Sequence, residues 1–194
     1  MAVKPILTSE HPILRQKAKK VKRVDASIQK LIDDMFDSMH AAHGLGLAAP
    51  QIGVGLRVFV VEMPQDDTDD TIQAQPREKR HVRYSGERIV FINPEIILAE
   101  GEQVGEEGCL SIPGYVGIVR RARKVVVKGL NRHGKAIKLT GEDLLARAFQ
   151  HEIDHLDGVL FTDRIDKPED LYRLTDNGRV PVFQGEIARF KQGT

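Results

Sequence analysis

The sequence predicts an α+β fold in which antiparallel β-sheets pack around a central helix, with an amphipathic helix towards the N-terminus. Three observations carry this. A sustained helical period occurs in only two stretches, one before and one after a long middle region; that region holds short runs rich in β-branched residues in succession; and several joints between the runs carry Asn, Gly or Pro.

A chain of 194 residues can bury a sizeable core, and 1–194 reads as a single domain. With 41% hydrophobic residues and 17 glycines, general disorder is excluded. The 29 Lys and Arg nearly balance the 28 Asp and Glu, which argues against specific nucleic-acid binding or adhesion to an anionic membrane. Uninterrupted apolar runs are short, as at Val58 to Val61, and the N-terminus lacks the apolar core of a secretory signal. A soluble, cytoplasmic protein is expected.

The first helix opens at Asp25 as N-cap, carries its apolar stripe on Ile28, Leu31, Ile32, Met35, Phe36 and Met39, and should close near His43 with Gly44 in the left-handed conformation. The basic residues before it, Lys17, Lys19, Lys20, Lys22 and Arg23, read as solvated surface. Next comes Gly44-Leu45-Gly46-Leu47-Ala48-Ala49-Pro50-Gln51-Ile52-Gly53. It lacks the lysine and hydroxyl of a phosphate loop, so it reads as a tight turn under a sheet, with Gln51 as the polar group to explain.

Strands are expected over 57–62, 89–98, 101–112, 115–119 and 124–130, the last pairing with 135–139 across Asn131-Arg132-His133-Gly134. The charged stretch 64–88 reads as a loop insertion. The closing helix should begin after Thr140, which with Asp143 matches a capping signal, and end at Gly158. Beyond it, Gly178, Pro181 and Gly185 make 167–194 an irregular C-terminal extension.

The closing helix carries His151-Glu152-Ile153-Asp154-His155. Histidines four apart stand one turn above the other, so both imidazoles can reach one divalent ion, and the glutamate beside the first can touch a water without ligating the metal. His151 and His155 continue the stripe of Leu144 and Ala148, which turns them inward. A satisfied pair of core histidines is the plain alternative. A catalytic site also needs a third ligand. The continuation His155-Leu156-Asp157-Gly158 is metzincin-like, but the third histidine of that pattern would fall on Phe161. The single cysteine, Cys109, is either a small buried hydrophobe, a nucleophile or a ligand; with two histidines it would make a soft three-ligand site with a free position, fit for Fe(II) or Zn(II).

Three segments together resemble the peptide deformylases: Gly44-Leu45-Gly46-Leu47-Ala48-Ala49-Pro50-Gln51, Glu107-Gly108-Cys109-Leu110-Ser111 and Gln150-His151-Glu152-Ile153-Asp154-His155. The flanking His11-Pro12-Ile13-Leu14-Arg15, Ile92-Asn93-Pro94-Glu95 and Asp157-Gly158-Val159-Leu160-Phe161 are similar to family segments too, so the likeness runs from residue 11 to about residue 165. The resemblance implies a single ion, ferrous iron, held by Cys109, His151 and His155 on the central helix, with Zn(II), Ni(II) or Co(II) able to replace it. It implies hydrolysis of the N-formyl group of formylmethionyl nascent peptides with release of formate. Glu152 would move the proton, and the Gln51 amide and the Leu110 backbone N–H would meet the oxyanion. A methionine pocket maps to Leu45, Leu144, Ala148 and the stem of Arg147, whose guanidinium must then find solvent or a partner; Gly46 and Gly108 would let the peptide backbone approach. Ser111 reads as structural.

Two departures stand out. The stretch 64–88 is longer than its equivalent in compact members and could serve as a flap at the substrate groove, and the C-terminal glycines and proline weaken the case for a long ribosome-docking helix, leaving transient ribosome proximity as an expectation of the general role. The competing functions are a zinc endopeptidase, disfavoured by Phe161 and Cys109, and an inactive, deformylase-like peptide-binding protein.

Overall fold

The computed structural model describes residues 2–65 and 84–182. Among the described residues nine strands form two sheets, and every strand pair within them is antiparallel. In chain order they are β1 (Gly46–Ala48), β2 (Val58–Pro64), β3 (Tyr84–Glu100), β4 (Gln103–Cys109), β5 (Ile112–Arg121), β6 (Lys124–Leu130), β7 (Ala136–Glu142), β8 (Leu171–Thr175) and β9 (Gly178–Pro181). The larger sheet has the order β1-β2-β3-β6-β7 and the smaller β4-β5-β8-β9. Among the described residues the α-helices are α1 (Ala26–Ala41) and α2 (Asp143–Leu156).

The larger sheet is apolar on both faces, which explains why β2 reads as a continuous rather than alternating run. Val58 and Val60 of β2, with Val90 and Ile92 of β3, pack on one side against Ile28, Ile32, Met35, Phe36 and Met39 of α1. Phe59, Val61, Phe91, Val125 and Val127 face the other way, onto Ala146, Phe149, Ile153 and Leu156 of α2. There the rings of Phe59, Phe91 and Phe149 meet at centroid distances of 5.3, 6.0 and 5.5 Å. The apolar face of α2 is thereby spent on the larger sheet, and its polar face is left to meet the smaller one. The α+β architecture with a central helix is the one the sequence predicts.

Asp25 caps α1 as expected, its carboxylate accepting from the backbone N–H groups of Ser27 and Ile28. The C-terminus differs. The left-handed residue is His43 (φ 53°), not Gly44. His43 N–H donates to His40 O at 3.0 Å and Gly44 N–H to Met39 O at 2.9 Å, the two bonds of a Schellman closure. Gly44 is needed for another reason: a Cβ there would come within 2.7 Å of Leu110 Cδ1.

Thr140 does not cap α2. It pairs with Val126, because the β6–β7 ladder continues to Lys124 and Glu142, and the chain passes straight from strand to helix through Asp143 at φ 48°. Gly158, at φ 75°, follows the end of α2 as expected. The expected strand over 101–112 is broken by a two-residue turn, Leu110-Ser111, between Cys109 and its partner Ile112.

The extension over 167–194 is not irregular where it is described. Residues 171–181 form the β8–β9 hairpin, which adds to β5 and turns at Asp176-Asn177, with Leu171 and Val182 buried in an apolar cluster with Ile112, Val119, Leu160 and Phe161. The charged stretch 64–88 also contracts: Pro64 belongs to β2 and Tyr84 to Arg88 to β3. The expected flap falls on 66–83, outside the described residues, as does 183–194. Among the described residues no helix is long and apolar enough to cross a membrane.

Candidate metal centre

Cys109 ends β4, and the turn at Leu110-Ser111 stops the chain there, so its thiol is presented to the polar face of α2. On that face His151 and His155 stand one turn apart, their ring centroids 4.9 Å from each other. One ligand atom from each of Cys109, His151 and His155 lies within 4.8 Å of the others, and Cys109 Sγ is 3.1 Å from His155 Nε2. Burial raises the Cys109 thiol, but the His155 charge beside it and hydrogen bonds from both imidazoles override this and hold it well below its ordinary value. The thiolate is the form a metal requires. A buried thiolate and two imidazoles, converging without a disulfide, fit one divalent first-row ion.

Glu152 sits between the histidines in sequence and is 4% exposed, and its Oε2 has no hydrogen-bond partner. Burial pushes its carboxyl up to about 7. Its neighbour is the backbone of β1: a Cβ on Gly46 would collide with Glu152 Oε1, so only glycine lets that strand pass so close to the carboxylate. Gln51 lies in a one-turn 3-10 helix, Ala49–Ile52, that follows β1. Its Oε1 accepts from Ala48 N–H at 2.8 Å, which turns Nε2 towards Ser111 Oγ at 3.2 Å and Cys109 Sγ at 3.6 Å. The polar residue of an otherwise apolar loop is therefore aimed at the sulfur. Ser111 is fully buried and accepts that bond, a structural role.

The sequence-predicted pocket residues lie on or beside the elements that carry this cluster and its neighbours. Leu144 and Ala148 are half-buried on the α2 face that continues into His151 and His155; Leu45 and Gly46 lie at β1 and Gly108 beside Cys109, all half-buried as well. Arg147 finds a partner rather than solvent. Its guanidinium is buried, donating to Glu107 Oε1 at 2.8 Å and Val119 O at 3.1 Å, and a Cβ on Gly105 would crowd it at 3.0 Å. Phe161, where a metzincin would place its third histidine, is buried and stacks on the His151 ring at 6.4 Å.

A buried ion network behind the histidines escapes the sequence reading. Glu107 Oε2 is 3.0 Å from His151 Nδ1, and Arg121 grips both Glu107 oxygens at 2.9 and 3.0 Å. Arg121 also reaches Asp154 Oδ2 at 2.5 Å, and Arg164 holds the same carboxylate at 2.7 and 3.1 Å. Burial alone would raise the Glu107 carboxyl; the bonds from His151 and Arg121 outweigh it and keep Glu107 well below the usual carboxylate range. One signal in the sequence does point this way. Residues two apart share a strand face, so Gly105, Glu107 and Cys109 all look towards α2.

The family model for polypeptide deformylase matches residues 3–170. A peptide deformylase of Heliobacterium modesticaldum is 51% identical over 172 residues, which are 88% of this chain and 100% of that one. Among solved structures, a peptide deformylase from Legionella pneumophila superposes with a TM-score of 0.72 at 47% identity, covering 85% of this chain and 87% of its own. A Met-Ala-Ser-bound class I type b peptide deformylase from Acinetobacter baumannii gives a TM-score of 0.73 at 34% identity, covering 84% and 99%. All three motif segments, and the thiol and imidazoles they bring together, lie inside the matched span, and the chain belongs to the polypeptide deformylase family.

Proposed function

We propose that the chain hydrolyses the N-formyl group from the formylmethionine that opens nascent polypeptides, releasing formate, with Cys109, His151 and His155 holding one ferrous ion that zinc, nickel or cobalt can replace. The observation that carries the site assignment is the convergence of one thiol and two imidazoles within 4.8 Å, next to a buried carboxylate with an unpartnered oxygen. When bound, a divalent ion supplies Lewis-acid activation of water and of the formyl oxygen.

The chain's own residues supply the rest. Glu152, with its carboxyl lifted to about 7, can take a proton from the attacking water and return it to the leaving amine near neutral pH. The Gln51 amide, pinned through Oε1 by Ala48, offers its N–H groups to negative charge developing on the formyl oxygen, and the Leu110 backbone N–H next to Cys109 is the second donor. A donor of this kind contributes about 3 kcal/mol to the transition state.

Substrate binding follows from β1 being an edge of the larger sheet. Leu45 O accepts from Glu62 N–H at 3.0 Å, so by the alternation of an antiparallel ladder the N–H and C=O of Gly46 face away from β2. An extended peptide can add there through main-chain hydrogen bonds, which suits a substrate whose sequence varies beyond the first residue. Its methionine side chain would rest on Leu45, Leu144 and Ala148, with the backbone passing Gly108. Nascent chains place this work in the cytoplasm, in transient proximity to the ribosome.

The test is to incubate iron- or cobalt-loaded protein with formyl-Met-Ala-Ser and with an unformylated internal peptide. Formate from the first and no cleavage of the second is expected. New amines from the internal peptide would mean an endopeptidase, and no product from either a binding protein.

A further inference from the structure

Gly44 is fixed at three points. Its N–H closes the end of α1 on Met39 O at 2.9 Å, its Cα leaves no room for a side chain against Leu110, and its carbonyl accepts a hydrogen bond from the Tyr84 hydroxyl at 2.9 Å. The third contact comes from the start of β3, where Tyr84 pairs with Pro64 beyond the end of β1. It is the only one of the three made by a distant side chain's polar group.

Tyr84 is itself well seated. Its ring lies 4.3 Å from that of His40 on the last turn of α1 and packs against the apolar side chains that α1 shares with β2 and β3. Below it Glu62, 3% exposed, gathers His40 Nε2 at 3.1 Å, Arg88 Nε at 3.2 Å and Gly86 N–H at 3.1 Å, which ties the first residues of β3 to β2. The guanidinium of Arg88 covers the Phe36 ring at 4.9 Å. Burial, with the Glu62 charge, pushes the Tyr84 hydroxyl up to about 12, so it stays a donor at any working pH. Glu62 also gives its own N–H to Leu45 O. Two consecutive carbonyls, those of Gly44 and Leu45, are thus held by Tyr84 and Glu62, and the next residue, Gly46, is the one whose backbone passes Glu152 and faces the open edge.

We propose that Tyr84 is a positioning residue for peptide binding: its hydroxyl, by holding the Gly44 carbonyl, sets how Leu45 and Gly46 present the open edge of β1 to the substrate backbone. The inference rests on the function proposed above. The metal ligands and Glu152 are untouched by Tyr84, so it should act on affinity for an extended peptide and not on the bond-breaking step.

The experiment compares Tyr84→Phe with the unaltered protein, both cobalt-loaded. KM for formyl-Met-Ala-Ser should rise about 3- to 10-fold, the factor one ordinary hydrogen bond carries, with kcat changing less than about two-fold. The inhibition constant of acetohydroxamate, a metal-binding probe with no peptide backbone, should stay the same. An unchanged KM, or an acetohydroxamate constant that rises in step with KM, overturns the proposal. Amide hydrogen exchange at Leu45 to Leu47 supplies a readout that needs no turnover. Exchange in Tyr84→Phe should quicken at these residues and not in α2, and unaltered exchange overturns the role of Tyr84 even if the unaltered protein releases no formate, a result that would count against the proposed function alone.

Discussion

Glu107 Oε2 lies 3.0 Å from His151 Nδ1. With that nitrogen engaged, Nε2 is the one His151 has left for a metal, so Glu107 fixes both the tautomer and the ring plane of a proposed ligand. Replacing Glu107 with Gln keeps the shape and removes the charge, leaving Arg121 and Arg147 buried against a neutral amide. Metal affinity should fall about 10- to 100-fold, and stability by about 3–5 kcal/mol. Chelator competition and urea unfolding at neutral pH check the two effects separately.

The same carboxylate gives the protein an acid-sensitive limb. Glu107 is held below its ordinary value of 4.5 in the fold, so the unfolded chain takes up its proton first. Its contribution to stability is complete above that value and drains away as pH falls towards the folded one. Urea midpoints from neutral pH downwards should therefore drop less steeply in Glu107→Gln than in the unaltered protein, and parallel curves would remove Glu107 from this role.

Glu152→Gln tests proton transfer without disturbing the ligands. Formate release should fall by about 10²–10⁴, the range a positioned general base supplies. Metal content, measured by elemental analysis, should be unchanged. Turnover near that of the unaltered protein would exclude Glu152 as the proton carrier.

The ends of α1 make opposite predictions. Asp25→Ala removes a cap that serves two backbone N–H groups and should cost about 1 kcal/mol. His43→Gly relieves a left-handed residue at φ 53° and should stabilise the fold by about 0.5–1 kcal/mol. Thermal unfolding of the two variants should bracket the unaltered protein.

Much of the fold was legible because local rules governed it. The Asp25 cap, the α1 stripe, the β6–β7 hairpin across Asn131 to Gly134 and the placing of His151 and His155 on one helical face all follow from spacing within a few residues. Where a non-local interaction won, local signals misled. Thr140 looks like a cap, but pairing with Val126 claims it for the sheet. Gly44 looks like a helix stop, but contact with Leu110 claims its missing side chain and His43 takes the strained conformation. The β8–β9 hairpin was hidden because Gly178, Pro181 and Gly185 suggested an irregular extension, although Asp176-Asn177 marks a turn and Leu171 supplies an inward anchor. At the site, the three motif segments marked Cys109 and the histidines. The arginines that hold Glu107 and Asp154 come from three elements, Arg121 from β5, Arg147 from α2 and Arg164 from the 3-10 turn over 161–164, and no spacing rule connects them to Glu107 on β4.

X-ray absorption at the metal edge of anaerobically prepared, zinc-substituted protein reads the proposed centre directly. One sulfur at about 2.3 Å and two imidazole nitrogens at about 2.0–2.1 Å, with the remaining coordination filled by light atoms, is the expected shell. Cys109→Ser should remove the sulfur scatterer while leaving the imidazole signature. A shell without sulfur in the unaltered, folded and fully loaded protein would contradict the assignment of Cys109, His151 and His155 as the metal's ligands.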